Sequence, residues 1–146
     1  MSKLTDYGIV LLTNMAMGPA GKVYAGQDLA EASRIPLPTV GKILKQLARA
    51  GLVISHRGRN GGYALARSSD EISVAEVINA IEGPIGITEC GTEVAGSCSL
   101  EAVCAARSRW GPISRAIAQA LAGVRLSAMR PGRAFPAGPA DTGATT

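Results

Sequence analysis

The stretch PLPTVGKILKQLARAGLVISHRGRNGGYALAR, residues 36–67, decides the fold. Its first half repeats apolar residues at helical spacing, which predicts a buried stripe of Val40, Ile43, Leu44, Leu47 and Ala48. Its second half sets two short apolar runs, 52–54 and 63–66, on either side of a tip rich in glycine, asparagine and arginine. Glycine and asparagine adopt the positive φ angles of tight turns, so the pattern predicts a helix followed by a β-hairpin.

Two helical patterns precede this unit. Residues 4–17 repeat apolar residues at helical spacing and end at a Gly-Pro pair, and residues 26–35 form a second, shorter pattern. A helix, a short helix, a third helix and a hairpin with a basic tip make the winged helix-turn-helix arrangement. We therefore predict a mostly α fold with a small β-hairpin, in which residues 1–67 form the DNA-binding region.

The second half of the chain divides into three predicted parts. Residues 68–106 hold a connecting helix, begun by a capping box at Ser73 and Glu76, and a cysteine loop. Residues 107–129 are predicted to form a long dimerisation helix that Gly111-Pro112 starts or kinks. Its apolar stripe comprises Trp110, Ile113, Ile117, Leu121 and Val124. Such a stripe packs on its own domain or pairs with a second copy. Residues 130–146 are rich in Pro, Gly, Ala and Thr, which predicts a disordered tail.

Charge is segregated along the chain. Residues 1–67 carry nine Lys or Arg against three acids, residues 68–106 carry seven acids and no Lys or Arg, and residues 107–146 carry six Arg and one Asp. A basic first region suits a polyanion such as nucleic acid, although an ordinary solvated surface is the alternative. We see no signal peptide and no membrane-length apolar run, so we expect a cytoplasmic protein. A phosphate loop and a nucleophile–base pair are also missing from the sequence, and we expect no enzymatic activity.

The predicted third helix and the hairpin supply the candidate DNA contacts. The first residues of a recognition helix meet base edges in the major groove, and a thin basic tip suits a narrow minor groove. The base-edge candidates are Pro38, Thr39, Gly41 and Lys42, the phosphate candidates are Lys45 and Arg49, and the hairpin candidates are His56, Arg57 and Arg59. We interpret His56 as a phosphate or structural contact, with metal ligation as the alternative.

The three cysteines, Cys90, Cys98 and Cys104, lie within fifteen positions at C-x7-C-x5-C spacing. Cytoplasmic thiols are normally reduced, so such a cluster favours metal binding or redox chemistry over disulfides. Tight CxxC pairs are absent, and three spaced thiols in a loop suit an iron–sulfur cluster. Zinc with one further ligand, or three small buried cysteines, are the alternatives.

Several motifs resemble those of IscR/NsrR-type winged-helix regulators of the Rrf family. They are LTDYG, SHRGRNGGYALAR, EISVAEVINAIEGPI and the cysteine loop, and together the resemblance spans about residues 2–129. The segments EGPIGITEC, CSLEAVC and RSRW resemble the branch that regulates SUF iron–sulfur assembly. The resemblance implies a homodimeric repressor or activator that binds double-stranded DNA. It also implies an iron–sulfur cluster, 2Fe-2S or 4Fe-4S, bound through the three cysteines.

The fourth cluster ligand departs from one family pattern. Where the IscR pattern has a histidine after the last cysteine, this chain has Arg107, which cannot lose its proton to ligate. In NsrR-like members an acidic residue near the N-terminus reaches the cluster from the partner subunit, and Asp6 matches that residue. A helix N-terminal charge is the alternative role for Asp6. The other candidates are Glu89, Glu93, Glu101 and a small-molecule ligand.

These patterns together predict a cytoplasmic, homodimeric regulator that senses iron–sulfur status through a bound cluster. It would bind palindromic operator DNA and control iron–sulfur assembly genes, without a membrane or a small-molecule substrate as partner. A DNA-binding regulator whose cysteines sense redox state or nitric oxide is one alternative. A structural metal-binding adaptor that does not bind DNA is the other.

Overall fold

The structure, a computed structural model, describes residues 1–86, 99–100 and 102–135, and at residues 107 and 108 it describes the backbone alone. The helices are α1 Lys3–Ala16, α2 Gly26–Ser33, α3 Leu37–Arg49, α4 Val74–Glu82 and α5 Arg107–Ala122. The strands are β1 Val53–His56 and β2 Gly62–Leu65, and a 3-10 helix spans Leu126–Met129. This arrangement confirms the predicted mostly α fold with one hairpin.

The core lies where α1, α3 and α4 pack together, with the 3-10 helix against α1. Each of these helices turns aliphatic side chains inward, because its apolar residues recur at helical spacing. Leu11, Leu44, Val77 and Leu126 are 0% exposed, so the four elements share one interior. The helix-turn-helix and α4 therefore form one rigid support for the surface that α3 presents.

The hairpin is antiparallel and is tied to the helices at its base. Its register runs from Val53 opposite Leu65 to His56 opposite Gly62. Tyr24, between α1 and α2, exchanges two backbone hydrogen bonds with Tyr63, each 2.8 Å long. The bridge between Tyr24 and Tyr63 therefore fixes the base of the hairpin, which is the wing, to the helical part of the fold. The tip of the wing extends beyond the helices.

The helix α4 begins as the sequence predicts. The Ser73 hydroxyl accepts a hydrogen bond from the Glu76 N–H at 3.2 Å, and the Glu76 carboxylate accepts one from the Ser73 N–H at 2.8 Å. The hydrogen bond from the Ser73 N–H, with the hydrogen bond and charge of Arg67 and a hydrogen bond from the Ser73 hydroxyl, lowers the pKa of Glu76 against the opposing effect of burial. The capping box is confirmed.

The C-terminal helix differs from the prediction in its extent. It ends at Ala122 rather than at Met129, because the chain turns at Gly123 and returns to the core. The Val74 N–H donates to the Val124 carbonyl at 2.9 Å, and the Leu126 N–H donates to the Ile72 carbonyl at 2.8 Å. Pro112 lies inside the helix instead of starting it. Of the predicted disordered tail, residues 136–146 lie outside the described part of the chain.

Candidate nucleic-acid interface and metal-binding segment

Two prolines set the start of α3. Pro36 is its N-cap and Pro38 lies in its first turn. The N–H groups of a first turn have no partner within the helix, so a proline there costs no helical hydrogen bond. The predicted stripe is buried, with Val40, Ile43 and Leu44 at 0% exposure. Because that side is fixed in the core, the opposite side of the helix must face outward.

The outward side of α3 is basic and slightly concave. Lys42 and Lys45 are exposed, whereas Thr39 and Gly41 are half-buried. We call the lining of the concave surface the recognition face; it consists of Pro38, Gly41, Lys42, Lys45, Gln46 and Arg49. Five of its six residues are predicted DNA contacts, whereas Thr39, also predicted, is not part of this lining. Gln46 is the sixth residue and was not predicted as a contact, although its spacing of four from Lys42 places it on the same side.

The wing carries the remaining predicted contacts at its tip. His56, Arg57 and Arg59 are all exposed. The turn closes with a hydrogen bond from the Gly61 N–H to the Gly58 carbonyl at 3.0 Å, and Gly58 adopts a φ of 112°. A thin turn with positive φ therefore presents two arginines without bulky neighbours, the geometry that suits a minor groove.

The N-terminal turn of α1 is joined to the end of α4. The Thr5 hydroxyl, fully buried, donates to the Glu82 carboxylate at 2.6 Å, and the Ser2 N–H donates to the same oxygen. These two hydrogen bonds lower the pKa of Glu82. One turn later, Gly8 allows the Ile81 side chain to approach α1 so closely that a Cβ at this position would clash. We call Ser2, Thr5, Gly8, Ile81 and Glu82 the α1–α4 junction.

Two of the predicted metal ligands, Asp6 and Cys104, lie in the described part of the chain. Asp6 is exposed in the first turn of α1, beside Thr5 of the junction, and Cys104 is half-buried shortly before α5. Cys90 and Cys98 lie outside the described residues, as do Glu89, Glu93 and Glu101. Within residues 1–86, 99–100 and 102–135, no three His, Cys, Asp or Glu side chains converge on one point.

The predicted dimerisation stripe is only partly used by the chain itself. Leu121 and Val124 pack on the core, whereas Ile113 and Ile117 stay 42% and 37% exposed.

Across the described part of the chain, no helix is long and apolar enough to cross a membrane.

Comparison with known proteins assigns the chain to a family. Residues 1–131 match the Rrf2 family, described as iron-dependent transcriptional regulators. An HTH-type transcriptional regulator, NsrR of Shouchella clausii, is 31% identical over 104 residues, which cover 71% of this chain and 70% of that protein. A Mycobacterium tuberculosis protein named as an HTH-type transcriptional regulator is 42% identical over 85 residues, 58% of this chain. That match spans about half, 53%, of the Mycobacterium protein's length.

Solved structures give the same result. CymR, the global cysteine regulator of B. subtilis, superposes with a TM-score of 0.68 at 26% identity, covering 88% of this chain and 94% of CymR. IscR of T. potens superposes with a TM-score of 0.63 at 26% identity, covering 88% of this chain and 84% of IscR. These relatives are regulators and not enzymes, in agreement with the sequence prediction. The chain belongs to the Rrf2 family of winged-helix transcriptional regulators.

Proposed function

We propose that this protein is a homodimeric regulator that binds palindromic operator DNA and senses iron–sulfur status through a cluster held by its cysteines. The genes it controls would then include those for iron–sulfur cluster assembly, as the resemblance to the SUF branch suggests. The observation that carries this proposal is the α1–α4 junction. It ties the helical turn that bears Asp6 to Glu82, which ends α4 just before the cysteine segment begins.

The DNA-binding half of the proposal rests on charge and shape. Lys42, Lys45 and Arg49 line one concave helix surface, and Arg57 and Arg59 extend from the neighbouring wing. Phosphates attract such clustered cations, and the start of the helix is free to meet base edges. The match to HTH-type regulators points to the same partner. A family of transcriptional regulators also argues against the adaptor that never binds DNA.

The chemistry of the donor set fits an iron–sulfur cluster. Thiolates are the usual protein ligands of such clusters, and Cys90, Cys98 and Cys104 supply three of them. Asp6 offers an exposed carboxylate as the fourth ligand, to its own subunit or to its partner, and the junction holds its turn in place. A bound cluster supplies a centre whose presence depends on iron, sulfide and oxygen.

The junction also offers a route from the cysteine segment to the DNA. Ile81 of α4 and Ile43 of the recognition helix both approach Gly8 of α1. A change in the cysteine segment that displaces Glu82 would thus act on the packing that positions α3. A coupling of about 1–3 kcal/mol, or about 5–150-fold in affinity, is typical between two such sites.

Protein made and purified without oxygen tests the cluster directly. We expect a coloured protein with iron and sulfide in similar amounts, and Cys98→Ala should lose the colour. A colourless wild-type protein with one zinc per chain would overturn the proposal. A colourless, metal-free protein whose DNA affinity changes on thiol oxidation would establish the redox-sensing alternative.

The role of Asp6 has a matched control. Asp28 is another exposed aspartate in a first helical turn, that of α2, away from the cysteine segment in sequence. Asp6→Ala should change the visible spectrum or shorten the lifetime of the bound cluster, while apo-protein binding to DNA stays intact. Asp28→Ala should leave the spectrum unchanged. The same spectrum and lifetime in both variants would return Asp6 to a helix-terminal role and point to Glu89, Glu93 or Glu101.

A further inference from the structure

Within the described part of the chain, nothing gives a reason for the glycine at position 41 of the recognition helix. It lies inside α3, and glycine is the least favourable residue in a helix interior apart from proline. Gly41 is not one of the glycines that adopt a positive φ angle. A Cβ built at Gly41 would meet nothing within 4 Å among the described residues. Alanine would therefore fit and would strengthen the helix.

Other glycines show what an internal reason looks like. At Gly8 a Cβ would clash with Ile81, and at Gly62 it would clash with the Tyr24 backbone. In both places the missing side chain lets two parts of the chain approach. At Gly41 the space opens instead to solvent, on the recognition face. The absent side chain leaves room on this face for a group that approaches from outside.

The walls of this space are apolar on one side and cationic on the other. Pro38, three residues before Gly41, is exposed and lines the same concave surface. Lys45, four residues after it, continues the surface with an aliphatic stem below its ammonium group. The result is a notch over Gly41, with Pro38 as its apolar wall and a cation at its edge.

We propose that this notch receives the 5-methyl group of a thymine in each operator half-site, with Pro38 as its apolar wall. The inference rests on the proposed DNA-binding function and names the base that the start of α3 reads. The thymine methyl is the apolar feature that the major groove displays, and apolar side chains recognise it by contact. Pro38 has neither an N–H nor a polar side-chain atom, so it cannot read a base by donating a hydrogen bond. It therefore suits a methyl group better than a polar base edge.

The test uses duplex DNA selected from a random pool by the wild-type protein. In the selected duplex, each thymine is replaced in turn by deoxyuridine, which lacks only the methyl group. We expect one thymine in each half-site whose replacement weakens binding about fourfold, the factor for one buried methyl-sized group. Replacing both symmetry-related thymines should weaken binding about 15-fold, since the two methyl groups contribute independently.

Gly41→Ala fills the notch and separates this role from a structural one. The variant should melt about 2–5 °C higher, because helix propensity improves. It should nevertheless bind the selected duplex more weakly and no longer distinguish thymine from uracil at that position. Arg49→Ala is the control, because Arg49 lies eight residues beyond Gly41 on the same helix. This variant should weaken binding to both duplexes equally and keep the thymine preference.

Two results overturn the inference on their own. One is wild-type binding that is selective for sequence yet equal for thymine and uracil everywhere in the half-site. The other is a Gly41→Ala variant that melts lower than wild type or keeps the full thymine preference. A wild-type protein that selects no sequence at all would overturn the proposed function, and this inference with it.

Discussion

Helices α3 and α5 are both amphipathic, but they leave opposite sides uncovered. In α3 the apolar side is fully buried, with Ile43 and Leu47 at 0% exposure, and the uncovered side is basic. In α5 the apolar residues Ile113 and Ile117 remain 42% and 37% exposed. The apolar, core-facing side of α3 is covered by its own chain, whereas part of the apolar side of α5 is not.

This difference indicates two kinds of partner. The side of α3 that stays in solvent carries the cations Lys42, Lys45 and Arg49 beside the apolar Leu37 and Pro38, and such clustered cations suit a polyanion. A helix that leaves aliphatic side chains in water gains free energy when a second apolar surface covers them, and a second copy of the same helix provides one. Because Leu121 and Val124 already pack on the core, the surface left for a partner is the part of α5 around Ile113 and Ile117.

The largest expected effect concerns the basic side of α3. If a dimer neutralises six to ten phosphates, operator affinity should fall by about 10³–10⁵ between about 50 and 200 mM salt. Lys45→Ala or Arg49→Ala should each reduce the slope of log affinity against log salt by about one for each phosphate that the variant no longer neutralises. Fluorescence anisotropy across a salt series measures both. A flat salt dependence would show that this side of α3 does not face phosphates.

Truncating a buried side chain of α3 should destabilise the fold more than truncating an exposed apolar side chain of α5. Leu44→Ala opens a cavity among fully buried residues and should lower the free energy of unfolding by about 2–5 kcal/mol. Ile117→Ala, at an exposed site, should lower it by less than about 1 kcal/mol in the monomer. Urea unfolding, at protein concentrations below the dimer dissociation constant, gives the free energy of unfolding of both variants. Equal losses would remove the contrast between the two helices.

Charge on the exposed side of α5 should break the dimer. Ile117→Asp places a carboxylate in the proposed interface and should raise the dimer dissociation constant about 100-fold, since an unpaired buried charge is strongly unfavourable. Gln119→Asp is the matched control, because Gln119 is exposed and helical spacing places it away from the stripe. Analytical ultracentrifugation distinguishes the two variants. A dimer that survives Ile117→Asp would assign the interface elsewhere.

The smallest effect is expected at the α1–α4 junction. Hydrogen bonds from Thr5 and Ser2 hold the pKa of Glu82 below its usual value, so its stabilising contribution is complete above the unfolded pKa of about 4.3. That contribution is lost as the pH falls through the lower folded-state pKa. Glu82→Gln should therefore cost about 0.5–1 kcal/mol at pH 7, an amount reduced by the exposure of the carboxylate, and less in acid.

Denaturant unfolding at several pH values follows this loss. Glu71→Gln, at another exposed glutamate, serves as the control and should leave the unfolding midpoint near wild type at each pH. A Glu82→Gln variant that is as stable as wild type at pH 7 would show that the junction contributes nothing to the fold.

The two helix starts show which features the sequence alone could predict. The cap of α4 joins Ser73 to Glu76 three residues away, so local spacing revealed it. The start of α1 is completed by Glu82, 80 residues from Ser2, and no local pattern carries that information. Long-range hydrogen bonds depend on how helices pack, which spacing within a single helix does not specify.

The end of a helix, like a long-range hydrogen bond, depends on packing that spacing within the helix does not specify. The apolar repeat continues past Ala122, so periodicity extended α5 to residue 129, although Gly123 was a local signal for its end. The burial of Leu126 depends on a hydrogen bond to Ile72 from a distant part of the chain. For the site, spacing placed five of the six lining residues of the recognition face on one side of one helix, whereas Thr39 lies outside that lining. The role of these residues as DNA contacts stays a prediction. The ligand set of the cysteines stays a prediction, since Cys90 and Cys98 lie outside the described residues.

The central claim is that the cysteine segment controls the affinity of α3 and the wing for DNA. The most direct measurement compares operator affinity for protein purified without oxygen, before and after its iron is removed by a chelator, in wild type and in Cys104→Ala. We predict a change of about 5–150-fold in the wild type and no change in the variant. Equal affinities before and after iron removal in a wild-type protein that contains iron and sulfide would contradict the account.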